Sequence, residues 1–177
     1  FARTRLFTLA SSNTNEWDFW SGTVSLGANL RTGNTQQDDY SMGFNIQRLT
    51  ALTRLNNNYT GAYSSSDGSQ TENNHRFTTT FDWFFSDLVY LRLTDFEFFA
   101  DRFQNIDYRL TYASGVGYKL FDLKDFSWDL GTGVGWQVTY FESVEDGQES
   151  NVDTPVFYMG TDLDWDITSD IEYTFEY

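Results

Sequence analysis

Three acids in DLDWD, Asp162, Asp164 and Asp166, are spaced by two residues. On a strand that spacing puts all three on one side, with neighbours about 7 Å apart. Such a row can ligate Ca²⁺, or it can pair with cations that share its face; buried charges must be paired, and that favours pairing with Arg92, Arg109 or Lys119. A second acidic run, ESVEDGQESNVD, carries Glu142, Glu145, Asp146, Glu149 and Asp153. It offers divalent cations that bridge lipopolysaccharide a landing place, but its spacing does not match a calcium loop, so a solvated loop is the favoured account. His75 is the single histidine, with Ser64, Ser65, Ser66 and Asp67 nearby in sequence. A serine and a histidine do not make a nucleophile without an orienting geometry, and His75 reads as an outer-loop residue. No catalytic residue, metal ligand set or cofactor site is expected.

The elements that must position these groups are strands. In FSWDLGTGVGWQVTY, Phe126, Trp128, Leu130, Val134, Trp136, Val138 and Tyr140 share one face. Ser127, Asp129, Gly131, Gly133, Gly135, Gln137 and Thr139 share the other. Period-two alternation of this kind recurs from Trp20 to Tyr177 and gives about nine strands. One segment, LVYLRLTDFEFF, changes phase, which predicts a β-bulge near Thr94 or a strand that leaves its layer there. TGN, Thr32 to Asn34, supplies residues suited to a tight left-handed turn. The connectors TGNTQQDD, SSSDGSQTENN, FADRFQN and ESVEDGQESNVD are long and polar, whereas LTAL, FSDL, FDLKD and ITSD are shorter or less polar. Outer-membrane barrels alternate short periplasmic turns with longer outer loops. That pattern predicts extracellular long loops and a periplasmic N-terminus.

The two faces of the alternation assign the solvent. Glycines fall on the polar side, where a small barrel needs room for long charged neighbours. The apolar side carries too many aromatics to fit inside an eight- to ten-stranded barrel. Outside the phase change it carries no charge, as a lipid-facing side requires. The expected fold is therefore all-β: an antiparallel up-and-down transmembrane β-barrel of about 9–12 strands in the bacterial outer membrane. Residues 20–177 make the barrel, and residues 1–19 make a periplasmic segment or an extra strand. An odd count of nine calls for another strand, from residues near Thr4 to Ala10 or from beyond Tyr177, and the second is favoured. The expected lumen network is Arg76, Asp82, Arg92, Arg109, Lys119, Asp129, Asp162, Asp164 and Asp166. The expected aromatic girdle includes Trp20, Trp83, Phe84, Phe121, Phe126 and Tyr140.

Bulk properties fit this frame. The chain of 177 residues has no cysteine, one proline, 19% aromatics and a net charge of -15. An acidic surface excludes nucleic acid as a partner, since phosphate binding needs a basic one. The expected partners are outer-membrane lipid and lipopolysaccharide, with divalent cations at the acidic loops and a protein partner or second copy left open. No apolar run is long enough for a membrane helix, and the first residues lack the layout of a signal peptide.

WSGTVSLGANLRTGNTQQDD resembles the opening of the salt-stress-induced outer-membrane proteins, domain-of-unknown-function family 481. The matching residues are Trp20 and Gly22, then Gly33 and Asn34. DRFQNIDYRLTYASGVGYKLF is similar to that family's middle segment at Asp101, Phe103, Arg109, Gly115, Gly117 and Tyr118. The resemblance implies an outer-membrane β-barrel and supplies no catalytic residues. The expected function is a structural or stress-related envelope role with a lumen filled by charged side chains. The alternatives are a narrow cation-preferring pore and, less favoured, a surface enzyme or a soluble ligand carrier.

Overall fold

The computed structural model describes residues 15–168 and 171–176. The segment Thr4 to Ala10, considered above as an extra strand, lies outside the described residues. A short 3-10 turn, Glu16–Phe19, leads into nine strands: β1 (Trp20–Arg31), β2 (Gln37–Leu49), β3 (Thr53–Ser66), β4 (Ser69–Phe84), β5 (Val89–Asp101), β6 (Ile106–Asp122), β7 (Phe126–Phe141), β8 (Asn151–Thr168) and β9 (Ile171–Glu176). They form one antiparallel up-and-down sheet in sequence order. The sheet is open among the described residues. β1 pairs only with β2 and β9 only with β8, so the expected barrel closure is not made.

Burial separates the two faces. The buried residues Asp82, Tyr90, Phe99, Asp101 and Ala113 all lie on the polar side of the alternation; we call it the inner face. The apolar side is exposed, with Leu26 77%, Phe157 72% and Met159 74% accessible. A soluble barrel would show the reverse.

The phase change in β5 is a bulge, and the strand continues through it. Phe81 pairs with Thr94 and Asp82 with Arg92, which leaves Leu93 extra. On the other side Arg92 faces Gly115 and Asp95 faces Ala113. The Ser114 hydroxyl donates to the Arg92 carbonyl at 2.9 Å, and the Tyr112 hydroxyl to the Leu93 carbonyl at 3.0 Å. Polar groups freed by the bulge thus find partners. The slip returns Asp95 and Glu97 to the side of Arg92, and Phe96 and Phe98 to the side of Leu91.

Two turn expectations need correction. SSSDGSQTENN is not a long loop, because β3 and β4 run almost to their tip. Asp67 (φ 49°) and Gly68 (φ 78°) both take the left-handed region and join the strands as a two-residue turn. Two consecutive positive φ angles match the right-handed strand twist, so this pair closes the hairpin tightly. The left-handed turn is therefore here and not at TGN: positive φ occurs at Asp67, Gly68, Asn105 and Gly147 among the described residues. The β7–β8 connector, residues 142–150, is the long one.

Candidate functional site on the inner face

Alternation and register place β3 to β6 so that one inner row reads Arg54, Asp82, Arg92 and Gly115. Asp82 is wholly buried. Arg54 donates to Asp82 Oδ2 through Nε at 3.0 Å and Nη2 at 2.7 Å. Arg92 donates to Oδ1 through Nε at 2.8 Å and to Oδ2 through Nη2 at 3.3 Å. One carboxylate thus holds two guanidinium forks, and Arg92 also lies 3.6 Å from Asp95. Charge-assisted bonds of this kind compensate the desolvation of buried ions.

Tyr90 lies one row toward the short turns. The Arg54 and Arg92 guanidiniums stand 5.3 and 5.9 Å from its ring centroid, and Phe84 meets it edge-on at 6.0 Å. The neighbouring strand admits that ring only because Gly117 faces it. A Cβ at Gly117 would lie 1.9 Å from a Tyr90 ring carbon. Tyr158 of β8 makes the same demand on Gly133, whose Cβ would come within 2.4 Å of its ring. Gly117 of β6 and Gly133 of β7 therefore make room for two inward tyrosines, not for long charged side chains as expected.

A second cluster lies toward the long connectors. Arg76 and Arg109 share Glu97 at 3.5 and 3.4 Å. Their guanidiniums flank the buried Phe99 ring at 4.9 and 4.7 Å. Arg109 Nε is buried without a hydrogen-bond partner.

Of the nine expected lumen charges, Asp82 and Arg92 meet each other, and Arg76 and Arg109 meet through Glu97. Lys119 pairs with Asp122 at 3.4 Å, with Asp129 opposite it in register. Asp162, Asp164 and Asp166 are exposed and make no ion pair with Arg92, Arg109 or Lys119. Asp129 and Asp162 are direct neighbours across β7 and β8. Among the described residues no group of three or more His, Asp or Glu is arranged to hold a metal ion. Arg54, Glu97, Tyr90, Phe99 and Tyr158 were not anticipated. Arg54 was accessible from parity, because Leu55, Tyr59 and Tyr63 take the other face. Glu97 was hidden by the bulge.

The aromatic assignments divide. Trp83, Phe121, Phe126 and Trp128 stand on the apolar face near the short turns, and Phe121 lies 5.4 Å from Phe126 and 6.2 Å from Trp128. Trp20 begins β1 at that same end. Tyr140 stacks on Tyr108 at 4.5 Å near the opposite end. Phe84 does not belong with them. It shares the parity of Asp82 and packs under Arg54 and Lys119 on the inner face.

His75 is in β4, not a loop, and faces outward opposite Gly61. Its partners are Tyr59 and Asn73 and not the serines; Ser64 instead donates to Glu72.

At the far end, Arg102 is bonded to Glu142, joining the β5–β6 and β7–β8 connectors. The guanidinium holds the Glu142 carboxyl below its ordinary range. Asn105 clasps Ser143 through its Oδ1 and Nδ2.

The family model described as protein of unknown function, DUF481, matches residues 24–177. The chain belongs to that family. No curated protein and no solved structure matches this DUF481 chain. No helix among its described residues is long and apolar enough to cross a membrane, which says nothing of strands.

Proposed function

We propose that this DUF481 chain forms the wall of an outer-membrane β-barrel with a structural or stress-related envelope role. The observation that carries this is the distribution of charge between the faces. Among the described residues, Asp38, Arg48 and Asp153 are the charged residues that register places on the apolar face, and each sits near a strand end. All the buried charge is on the other side. Lipid tolerates the first arrangement and penalises a midspan Lys or Arg by roughly 2–4 kcal/mol. Strands β1 to β8 have 12 to 18 residues, beyond the roughly 9–11 that a tilted strand needs to span. Aromatic rings at the strand ends match an interfacial belt.

In lipid no strand edge is left unpaired. β1 and β9 run in the same direction, so pairing them directly would be parallel, and an antiparallel closure needs an additional strand. The inner face is blocked along β4 to β6 by Tyr90, Tyr158 and the arginine–carboxylate clusters. On this account the protein anchors acidic connectors at the cell surface, where they meet lipopolysaccharide, divalent cations or another protein, and it performs no catalysis.

Cell fractionation and unheated gel migration test the placement. The expected result is recovery in the outer-membrane fraction with a faster-migrating folded band that is lost on boiling. Recovery in the soluble fraction would refute it. One observation favours a second account, a narrow cation-preferring pore: Asp122, Asp129, Asp162 and Asp164 line an open cleft whose cations, among the described residues, are Lys119 and Arg54. Planar-bilayer recording separates the two. A filled barrel gives no steps of conductance, and cation-selective steps that weaken in Asp162→Asn would favour the pore.

A further inference from the structure

We infer that the outward face of β2 to β4 packs against a second copy of this chain inside the membrane, with the Asn57 carboxamides of the two copies hydrogen-bonded to each other. The inference rests on the membrane placement proposed above. Register sets Asn57 on the apolar face, between Ile46 of β2 and Thr79 of β4. The next outward row toward the short turns is Arg48, Leu55 and Phe81, and Arg48 is held by Glu16 at 2.6 Å. The next row toward the long connectors is Phe44, Tyr59 and Phe77. Its rings form one block, with Phe44 5.5 Å from Tyr59 and 6.5 Å from Phe77. Asn57 stands four residues along β3 from Thr53, the partner of the end residue Trp83. That is about 13 Å along the strand, and about 10 Å in depth at the tilt of about 40° usual in barrels. Its amide therefore lies below the level of an aromatic belt, where the polar part of the lipid ends.

Other polar side chains on this face are bonded to their own chain. Ser114 donates to the Arg92 carbonyl, Thr132 to the Tyr158 carbonyl, Thr161 to the Asp129 carbonyl, and Trp128 Nε1 to Thr161 Oγ1. The inward neighbour Asn56 accepts from Gln47 and donates to Thr80. Asn57 Oδ1 and Nδ2 have no such partner among the described residues. An amide turned to hydrocarbon without a partner is costly, because lipid tails offer it nothing in place of water. A carboxamide carries donors and an acceptor together, so two of them related by a two-fold axis satisfy each other with a pair of N–H···O bonds. An unrelated partner would have to place its own amide at this depth, whereas a second copy brings one there by symmetry. With the axis along the membrane normal, the long connectors of both copies stay on the same side. Polar side chains that face one another in lipid hold membrane-spanning segments together in this way. Ile46, Leu55, Phe81 and the block of three rings supply the apolar surround.

The full chain is folded into detergent micelles, and its association is measured by sedimentation equilibrium. The expected result is a monomer–dimer equilibrium. Asn57→Leu, a side chain suited to lipid, keeps the heat-sensitive folded band but lowers the association constant about tenfold, the equivalent of roughly 1.4 kcal/mol. Asn57→Gln keeps the carboxamide and most of the association. The chain has no cysteine, which permits a positional check in phosphatidylethanolamine–phosphatidylglycerol vesicles. A short bis-maleimide joins copies carrying Leu55→Cys and leaves copies carrying Val134→Cys single. A folded monomer at every concentration, association unchanged in Asn57→Leu, or equal crosslinking at the two positions overturns this inference and leaves the membrane placement standing. Crosslinking of Leu55→Cys in intact outer membranes to a different protein, and not to a second copy, overturns it as well. Failure to insert overturns both.

Discussion

The inner sides of β4–β6 and of β1–β2 arise from the same alternation, yet one is crowded and ionic and the other open and, apart from Arg31 and Asp39 at its long-connector end, neutral. In β4–β6, Asp82, Tyr90, Phe99 and Ala113 are buried, and Arg76, Arg92 and Arg109 meet Asp82 and Glu97 in two clusters, with Arg54 joining from β3. In β1 every residue is exposed, and its inner side offers Ser21, Thr23, Ser25, Gly27 and Asn29. Small neutral side chains reach no farther than the adjacent strand, as Asn29 does to Asp39, so they bury little. Long charged ones reach farther, and once together they must be satisfied. Two things distinguish the regions: β1 is an edge strand paired with β2 alone, whereas β4 to β6 are paired on both sides, and the side chains of β4 to β6 reach farther.

Removing the central carboxylate is the strongest way to break this contrast. Asp82→Ala leaves Arg54 and Arg92 facing each other, and loss of about 3–5 kcal/mol is expected. Asn45→Ala on β2 changes stability by less than about 0.5 kcal/mol. Urea titration of the folded band measures both. The combined replacement of Arg54, Asp82 and Arg92 by Met, Leu and Met sharpens the point, because it removes the orphaned charges and restores most of the stability.

A smaller effect separates two glycines on adjacent strands. Gly117→Ala drives a methyl into the Tyr90 ring, and overpacking of this kind costs about 1–3 kcal/mol. Gly131 faces Gly117 in register, but a Cβ there would meet nothing nearer than the Tyr90 hydroxyl at 4.0 Å. Gly131→Ala is therefore near neutral. Equal losses in the same titration would show that the tyrosine does not set the spacing.

The smallest effect is at the connectors. Arg102 lowers the Glu142 pKa in the folded chain, so the latch contributes stability above the ordinary glutamate range and loses it as pH falls through the folded value. Hydrogen exchange at the Ser143 amide, which donates to Asn105 Oδ1, reads this directly. Protection holds through the ordinary glutamate range and is lost only at pH below it; Glu142→Gln removes the pH dependence.

Much of the fold was legible because alternation is a local property. The nine strands, their order and the side most charges take follow from counting by two; Glu97, beyond the bulge, and Asp38, Arg48 and Asp153, at strand ends on a face expected to carry no charge, do not. The bulge near Thr94 was legible for the same reason, as a count that fails. What could not be read is reach across strands. Nothing in GVGYKL says that Gly117 receives Tyr90, because that ring comes from another strand. Phe84 was misassigned because it follows Trp83 in a run of aromatics, where composition masks parity. The aspartates of β8 share a face as expected, but pairing depends on the length of the partner side chains, and none of the three cations considered reaches them. The Asp67–Gly68 turn was overlooked because the serines and asparagines around it read as loop, although their backbones pair.

The extra residue at Leu93 also has a genetic consequence. Deleting that one codon would make the written pattern of β5 more regular, a cleaner wave from Val89 to Asp101. The faces would survive it: Arg92 and Asp95 would then stand two apart, so Asp95 and Glu97 would stay inside and Phe96 and Phe98 outside. What would go is the local kink and the two carbonyl contacts that Tyr112 and Ser114 make there. In this strand the backbone absorbs an irregular spelling and keeps the message in frame.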